Sequence, residues 1–125
     1  MDPTPYIGLP YADGGRGPEA FDCWGLVRHV LAREFHVELP AYEYGGPESR
    51  RALIDGLAAD YRAVDAQPGA IALCHLPGRR PHVGVCVDAQ TILHTREATG
   101  AVLERVDSHL MRNAIRGFYL PNPRP

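Results

Sequence analysis

Cys23 sits in the run Phe21-Asp22-Cys23-Trp24-Gly25-Leu26-Val27, where Asp22 is placed to cap a helix and Cys23 to begin it. A cysteine in the first turn lies at the positive end of the helix dipole. That position favours the thiolate, and the thiolate is the nucleophile. The same turn presents backbone N–H groups that lack intrahelical partners and can receive the oxyanion formed when a carbonyl is attacked. Gly25 permits close approach of another backbone or of a substrate. The alternative reading of Cys23 is a small buried hydrophobe at a helix start.

A thiolate nucleophile needs a base and an orienting group. His82 opens an expected strand, with Gly84 next on the same face, where small side chains would let a helix pack close. His94 lies near the end of the following strand, twelve residues on. Adjacent antiparallel strands bring two such imidazoles side by side, and His94 then holds His82 in the required tautomer. Each histidine alone reads more readily as a partly buried or surface residue than as a catalytic one. The combination of a cysteine at a helix start, a histidine at a strand start and a polar residue on the next strand points to nucleophilic catalysis. Cys74-His75, His82 and Cys86 invite a zinc reading, but adjacent strand residues point to opposite faces and the spaced pairs of zinc sites are missing. Cys74 and Cys86 therefore read as buried hydrophobes, and neither a metal nor a cofactor is expected. Arg79-Arg80 reads as a solvated turn, or as a contact to anionic substrate.

Several elements must position these residues. Pro3, Pro5, Pro10, Pro18 and the pair Gly14-Gly15 make residues 1–20 turns and extended chain. A helix is expected from Cys23 to His36, with Val27, Leu31 and Phe35 four residues apart and Pro40 marking the exit. A second helix is expected from Glu48 to Asp60, on Leu53, Ile54 and Leu57. After Pro68-Gly69 the period changes to that of strands. Expected strands run from Ala70 to Leu76, His82 to Val87, Gln90 to Thr95, Ala101 to Val106 and Ile115 to Leu120, with a short helix at Ser108 to Asn113. Helices first and an antiparallel meander after give an α+β class.

Composition narrows the function classes. The chain has 125 residues, fitting one domain over 1–125, and its 45% hydrophobic and 22% charged content argues against disorder. A formal net charge of −2, with arginine supplying all 13 basic residues, gives no basic footprint for nucleic acid or an anionic membrane. No stretch approaches the apolar length that spans a bilayer. Met1-Asp2-Pro3-Thr4-Pro5 has neither the basic nor the apolar region of a secretory signal, so synthesis in the cytoplasm is expected. Three cysteines in a reducing compartment make disulfides unexpected.

Pro10-Tyr11-Ala12-Asp13-Gly14-Gly15, the Asp22-Cys23-Trp24-Gly25-Leu26-Val27 run, Pro68-Gly69, His82-Val83-Gly84-Val85 and Ile92-Leu93-His94 together resemble the NlpC-type cell-wall cysteine peptidases. The resemblance covers about residues 6 to 120, with the motifs in family order. It implies a papain-like fold of N-terminal helices packed on a small antiparallel sheet. It also implies Cys23 as nucleophile, His82 as general base, His94 as orienting third residue and Tyr11 as a hydroxyl aimed at the reacting carbonyl. The implied substrate is a peptidoglycan stem peptide, cut at the γ-D-glutamyl-diaminopimelate bond. The short form and the Trp24 that follows Cys23 resemble the branch found in phage tail-assembly and tail-tip proteins. That branch implies other tail proteins as partners and incorporation into a phage tail or tail-like particle. An idle structural or binding module in a tail, and an amidase or acyltransferase on the same fold, are the alternatives. Ala70 departs from the family's Pro-Gly-Asp, and residues 42–67 match no family-wide pattern.

Overall fold

The computed structural model describes residues 1–40, 57, 60–76 and 81–122. After a 3-10 turn at Thr4–Tyr6, helix α1 covers Cys23–Phe35. Six strands follow: β1 Tyr61–Val64, β2 Ile71–His75, β3 Pro81–Cys86, β4 Thr91–Arg96, β5 Gly100–Arg105 and β6 Ile115–Pro121. All pair antiparallel in one sheet of order β1-β6-β2-β3-β4-β5. The α+β class therefore holds. The expected helix at 48–60 lies outside the described residues apart from the buried Leu57 and Asp60, as does most of the 77–81 turn.

Three details depart from the sequence expectations. The sheet is a meander only from β2 to β5. Strand β6 returns to lie between β2 and β1, and β1 has no apolar period, only Tyr61 of its four residues being buried. Residues 108–113 are not a helix but successive turns, in which Ser108 Oγ accepts from Met111 N–H (3.1 Å) and Met111 O accepts from both Ala114 and Ile115. Ser108 thus caps one helical turn, with Arg112 N–H donating to its carbonyl (2.9 Å), but β6 begins at Ile115 and no helix propagates. Finally, Gly84 is small for a different neighbour. A Cβ there would strike Ile92 Cγ2 and His94 Cβ, so it makes room for β4 side chains and not for a helix.

Both faces of the central strands are buried, and alternation sorts their side chains. Ile71, Val83, Val85 and Leu93 face α1, where they pack with Trp24, Leu26, Val27, Val30 and Leu31. Ala70, Ala72, Cys74, Cys86 and Ile92 point the other way, under Met111 and Ala114 of the turn segment. This double burial explains why residues 70–76 read as a continuous apolar run. It also gives Ala70, fully buried, an apolar setting in place of the family's aspartate.

The start of α1 is the most tightly specified turn in the chain. Asp22 is the N-cap, its Oδ1 accepting from Gly25 N–H at 2.6 Å, which satisfies one helix-start donor. The Pro10–Gly17 loop is strapped beside it: Phe21 N–H donates to Pro10 O (3.0 Å) and Asp22 N–H to Gly15 O (3.0 Å). A Cβ on Gly25 would fall on that same Gly15 carbonyl oxygen. At the other end His36 takes the left-handed conformation (φ 56°), and Val37 N–H donates to Leu31 O, a Schellman-type stop. Because overpacking a fixed backbone typically costs ~1–3 kcal/mol, Gly25→Ala is expected to lower the urea midpoint by a corresponding amount. An unchanged midpoint would show that the loop does not rest on the helix.

Candidate functional site

Strand pairing explains how two distant histidines meet. Val85 pairs with Leu93 and Cys86 with Ile92 across β3–β4. Continuing that register sets Gly84 opposite His94, with His82 one step further along the same face. Gly84 contributes no side chain to that face, so the two imidazoles close over it. His82 Nε2 lies 2.9 Å from His94 Nδ1, with ring centroids 5.1 Å apart and planes at 78°. This is a hydrogen bond between ring nitrogens, and one hydrogen lies between them.

His94 is 1% exposed. Burial, with the Arg96 guanidinium two residues along the strand, pushes its pKa down to about 4, so His94 is neutral at ordinary pH. Its Nε2 is buried with no hydrogen-bond partner. The nearest carboxylate is that of Glu104 on β5, with Oε1 at 4.0 Å. Glu104 carried no motif, but the hairpin register exposes it: His94 pairs with Val102, so Glu104 lies two residues along on the same face.

Cys23 is the first residue of α1, half-buried, and packs against the helix-side core. Helix α1 lies on β3 and β4, the strands that carry both histidines. Cys74 lies on the sheet face that carries the histidines. Its Cα pairs with that of His82 across β2–β3, and its thiol is pushed up to about 12 by burial, with smaller contributions from Cys86 and Cys23. Cys86 is likewise raised to about 11 by burial. Cys74 and Cys86 are buried thiols, not a disulfide.

Tyr11 is held next to this site by its backbone, which bridges Phe21 two residues before Cys23. Its hydroxyl donates to Asp13 Oδ1 at 2.7 Å. A hydroxyl has one hydrogen to give. Tyr11 can therefore donate to a substrate oxygen only by releasing Asp13, a partner that the spacing did not announce. Trp24, fully buried, donates its indole N–H to Pro40 O at 2.9 Å and so ties the helix start to the chain beyond the helix. A recess of about 350 Å³ flanks α1, with Gly25, Arg16, Arg28 and His29 in its wall. A larger one, about 760 Å³, lies at the β1–β6 edge and contains none of Cys23, His82 or His94. Among the described residues, no group of three His, Cys, Asp or Glu side chains is placed to hold a metal ion.

A known family model matches this chain: residues 8–119 fit the NlpC/P60 family. The chain belongs to the NlpC/P60 family. NlpC/P60 folds among solved structures are correspondingly similar. One is a protein described as similar to lipoprotein, NLP/P60 family, from Staphylococcus aureus subsp. aureus Mu50 (20% identity, TM-score 0.66, covering 96% of this chain and 39% of that one). Another is the NlpC/p60 domain of the peptidoglycan hydrolase SagA (20% identity, TM-score 0.59, 95% and 92%). A third is NlpC2 from Trichomonas vaginalis (16% identity, TM-score 0.65, 94% and 44%). At these identities the likeness is one of fold. The NlpC/P60 chain described here spans less than half the length of the first and third of these proteins. No curated protein sequence matches it.

Two measurements follow from the burial. His94 is protonated in the unfolded chain below about pH 6.5 but in the folded chain only below about 4. Between those values the unfolded state binds more protons, so stability falls as pH drops from 6.5 to 4, by a contribution on the order of 3 kcal/mol. His29, shifted the same way by burial and by Arg33, adds to the trend. Chemical denaturation across that range should show the loss, and His94→Gln should flatten it. Iodoacetamide at pH 8 should leave Cys74 and Cys86 unlabelled in the native protein and label both after unfolding. Native-state label on either would place it outside the core.

Proposed function

We propose that this protein is a cysteine peptidase that hydrolyses amide bonds in peptidoglycan stem peptides, with Cys23 as nucleophile, His82 as general base and His94 as the group that orients His82. The observation that carries the proposal is the 2.9 Å contact between His82 Nε2 and His94 Nδ1, on strands packed under the helix that Cys23 begins. Family membership supports it, and SagA, one of the proteins with this fold, is a peptidoglycan hydrolase. The γ-D-glutamyl-diaminopimelate bond is the scissile bond that the motif resemblance favours.

The chemistry proceeds in two halves. His82 takes the Cys23 thiol proton, and the thiolate adds to the amide carbonyl carbon. The resulting oxyanion is held by first-turn N–H groups of α1, whose dipole favours negative charge. Collapse expels the amine, which takes the proton from His82, and leaves a thioester on Cys23. Water, deprotonated by His82, then attacks the thioester. The second tetrahedral intermediate releases the carboxylic acid and returns the proton to the sulfur. Tyr11 supplies a further donor to the oxyanion once its hydroxyl turns from Asp13.

A role at a phage tail, opening the wall locally, rests on the Trp24 that follows Cys23. Trp24 also has a structural reason to be there, because it anchors Pro40. An idle tail module is the competing reading, and the intact set Cys23, His82 and His94 disfavours it. An amidase or acyltransferase would use the same residues on a different bond.

Mass spectrometry of purified muropeptides incubated with the protein reads the cleaved bond directly. Cleavage between γ-D-glutamate and diaminopimelate is the expected result, lost in Cys23→Ala with the melting temperature nearly unchanged. His82→Ala is expected to be as damaging, because residues that act as a unit are non-additive. His94→Ala should be milder and His94→Gln should recover part of the loss. Full cleavage by Cys23→Ala would sink the mechanism, and no cleavage by the wild type would favour the idle module. Tyr11→Phe should reduce kcat more than it raises KM, by about a hundredfold if the donor is well placed.

A further inference from the structure

We propose that Glu104 is a positioning residue for this site: its carboxylate accepts the Nε2–H of His94 and so fixes the tautomer in which His94 Nδ1 accepts from His82. The inference rests on the roles proposed above for His82 and His94.

The two histidines share one hydrogen between Nε2 of His82 and Nδ1 of His94. When His82 takes the proton of Cys23 on its other nitrogen, its Nε2 must keep its own hydrogen and donate it. His94 Nδ1 must then be a bare acceptor. A neutral imidazole carries one N–H, so the hydrogen of His94 must sit on Nε2. That Nε2 is buried with no hydrogen-bond partner, and a buried donor left without an acceptor is costly. The opposite tautomer would put the hydrogen on Nδ1, aim it at His82 and cancel the donation from His82. Something must therefore favour Nε2–H.

Glu104 is the group placed to do so. Among the described residues, the titratable groups facing His94 are His82 from β3, Arg96 from its own strand and Glu104 from β5. Arg96 only donates, and His82 is engaged at Nδ1, which leaves Glu104 as the acceptor. The β4–β5 register, His94 with Val102 and Ile92 with Glu104, puts its carboxylate on the diagonal. His82, His94 and Glu104 thus form one oblique line across three strands. The 4.0 Å gap from Nε2 to Oε1 is about 1 Å longer than a hydrogen bond. The Glu104 side chain is 28% exposed on an edge strand and has the freedom to close it. Catalytic contacts of this kind are often long before substrate binds.

The test joins long-range 1H–15N NMR of histidine-labelled protein to muropeptide kinetics, on the wild type, Glu104→Ala and Glu104→Gln, each checked for an unchanged melting curve. The wild type should show His94 as the Nε2–H tautomer, and Glu104→Ala should show a mixture or the Nδ1–H form. Glu104→Gln keeps a carbonyl oxygen and should restore both tautomer and rate. Glu104→Ala should lower kcat about tenfold or more, as loss of an outer orienting partner does elsewhere, with KM little changed. A His94 tautomer that does not respond to Glu104→Ala overturns the proposal, as does a Glu104→Gln variant as impaired as Glu104→Ala. The two readouts separate the proposals. If the wild type cleaves no muropeptide, the catalytic reading fails, while the tautomer still decides whether Glu104 holds His94.

Discussion

The site depends on one hydrogen bond, between His82 Nε2 and His94 Nδ1, made across β3 and β4 at 2.9 Å. Neither histidine could reach the other if the position between them carried a side chain. Gly84 supplies the gap: any Cβ there would collide with Ile92 Cγ2 and with His94 itself. The bond also depends on burial. His94 is held neutral by a dry environment, and a neutral imidazole can accept at one nitrogen while donating at the other. The same sheet therefore fixes both the position and the protonation state of His94. The second cluster, in which Cys74, Cys86 and Ile92 lie under Met111 and Ala114, keeps water from this face.

Cys23 is fixed from the other side by backbone instead of by side chains. Asp22 caps the helix, Gly15 takes the Asp22 N–H, and the absence of a Cβ at Gly25 lets the loop lie against the first turn. The helix-side core then docks α1 on β3 and β4. A loop, a cap and a sheet face are three independent constraints on one sulfur. Such redundancy is what a reacting group needs if its supporting shell is to hold it to within a fraction of an ångström. Tyr11 is anchored by the same loop, but its hydroxyl is committed to Asp13. Its participation requires that hydroxyl to turn away from Asp13.

Much of this was legible in the chain. The Asp22 cap and the helix from Cys23 followed from local rules, because capping and amphipathic spacing are short-range. The pairing of His82 with His94 was legible because alternation and one hairpin determine which side chains share a face. What stayed hidden was long-range or locally ambiguous. Strand β1, with Arg62 and Ala63 exposed, has no apolar period, and only its pairing to β6 makes it a strand. Residues 108–113 have helix-like spacing and Ser108 caps a first turn, but β6 begins at Ile115 and leaves no length for a helix to propagate. The reason for Gly84 was misassigned to a helix, since a glycine shows that space is needed but not who needs it. Glu104 was within reach of register counting from the Thr99-Gly100 turn, but a lone carboxylate on an edge strand gives no signal until the orphaned nitrogen of His94 is known.

Whether Cys23 and His82 act as one chemical unit is tested most directly by the pH dependence of Cys23 alkylation. The rate is measured by peptide mapping after short iodoacetamide pulses on folded wild type and His82→Ala. A neighbouring imidazole that takes the thiol proton keeps a thiolate available below neutral pH. The wild type should therefore alkylate at Cys23 well into the acid range, and His82→Ala should move the rise in rate to the pH of an ordinary cysteine thiol. Superimposable profiles for the two proteins would contradict the account, because His82 would then have no hold on the sulfur it is proposed to activate.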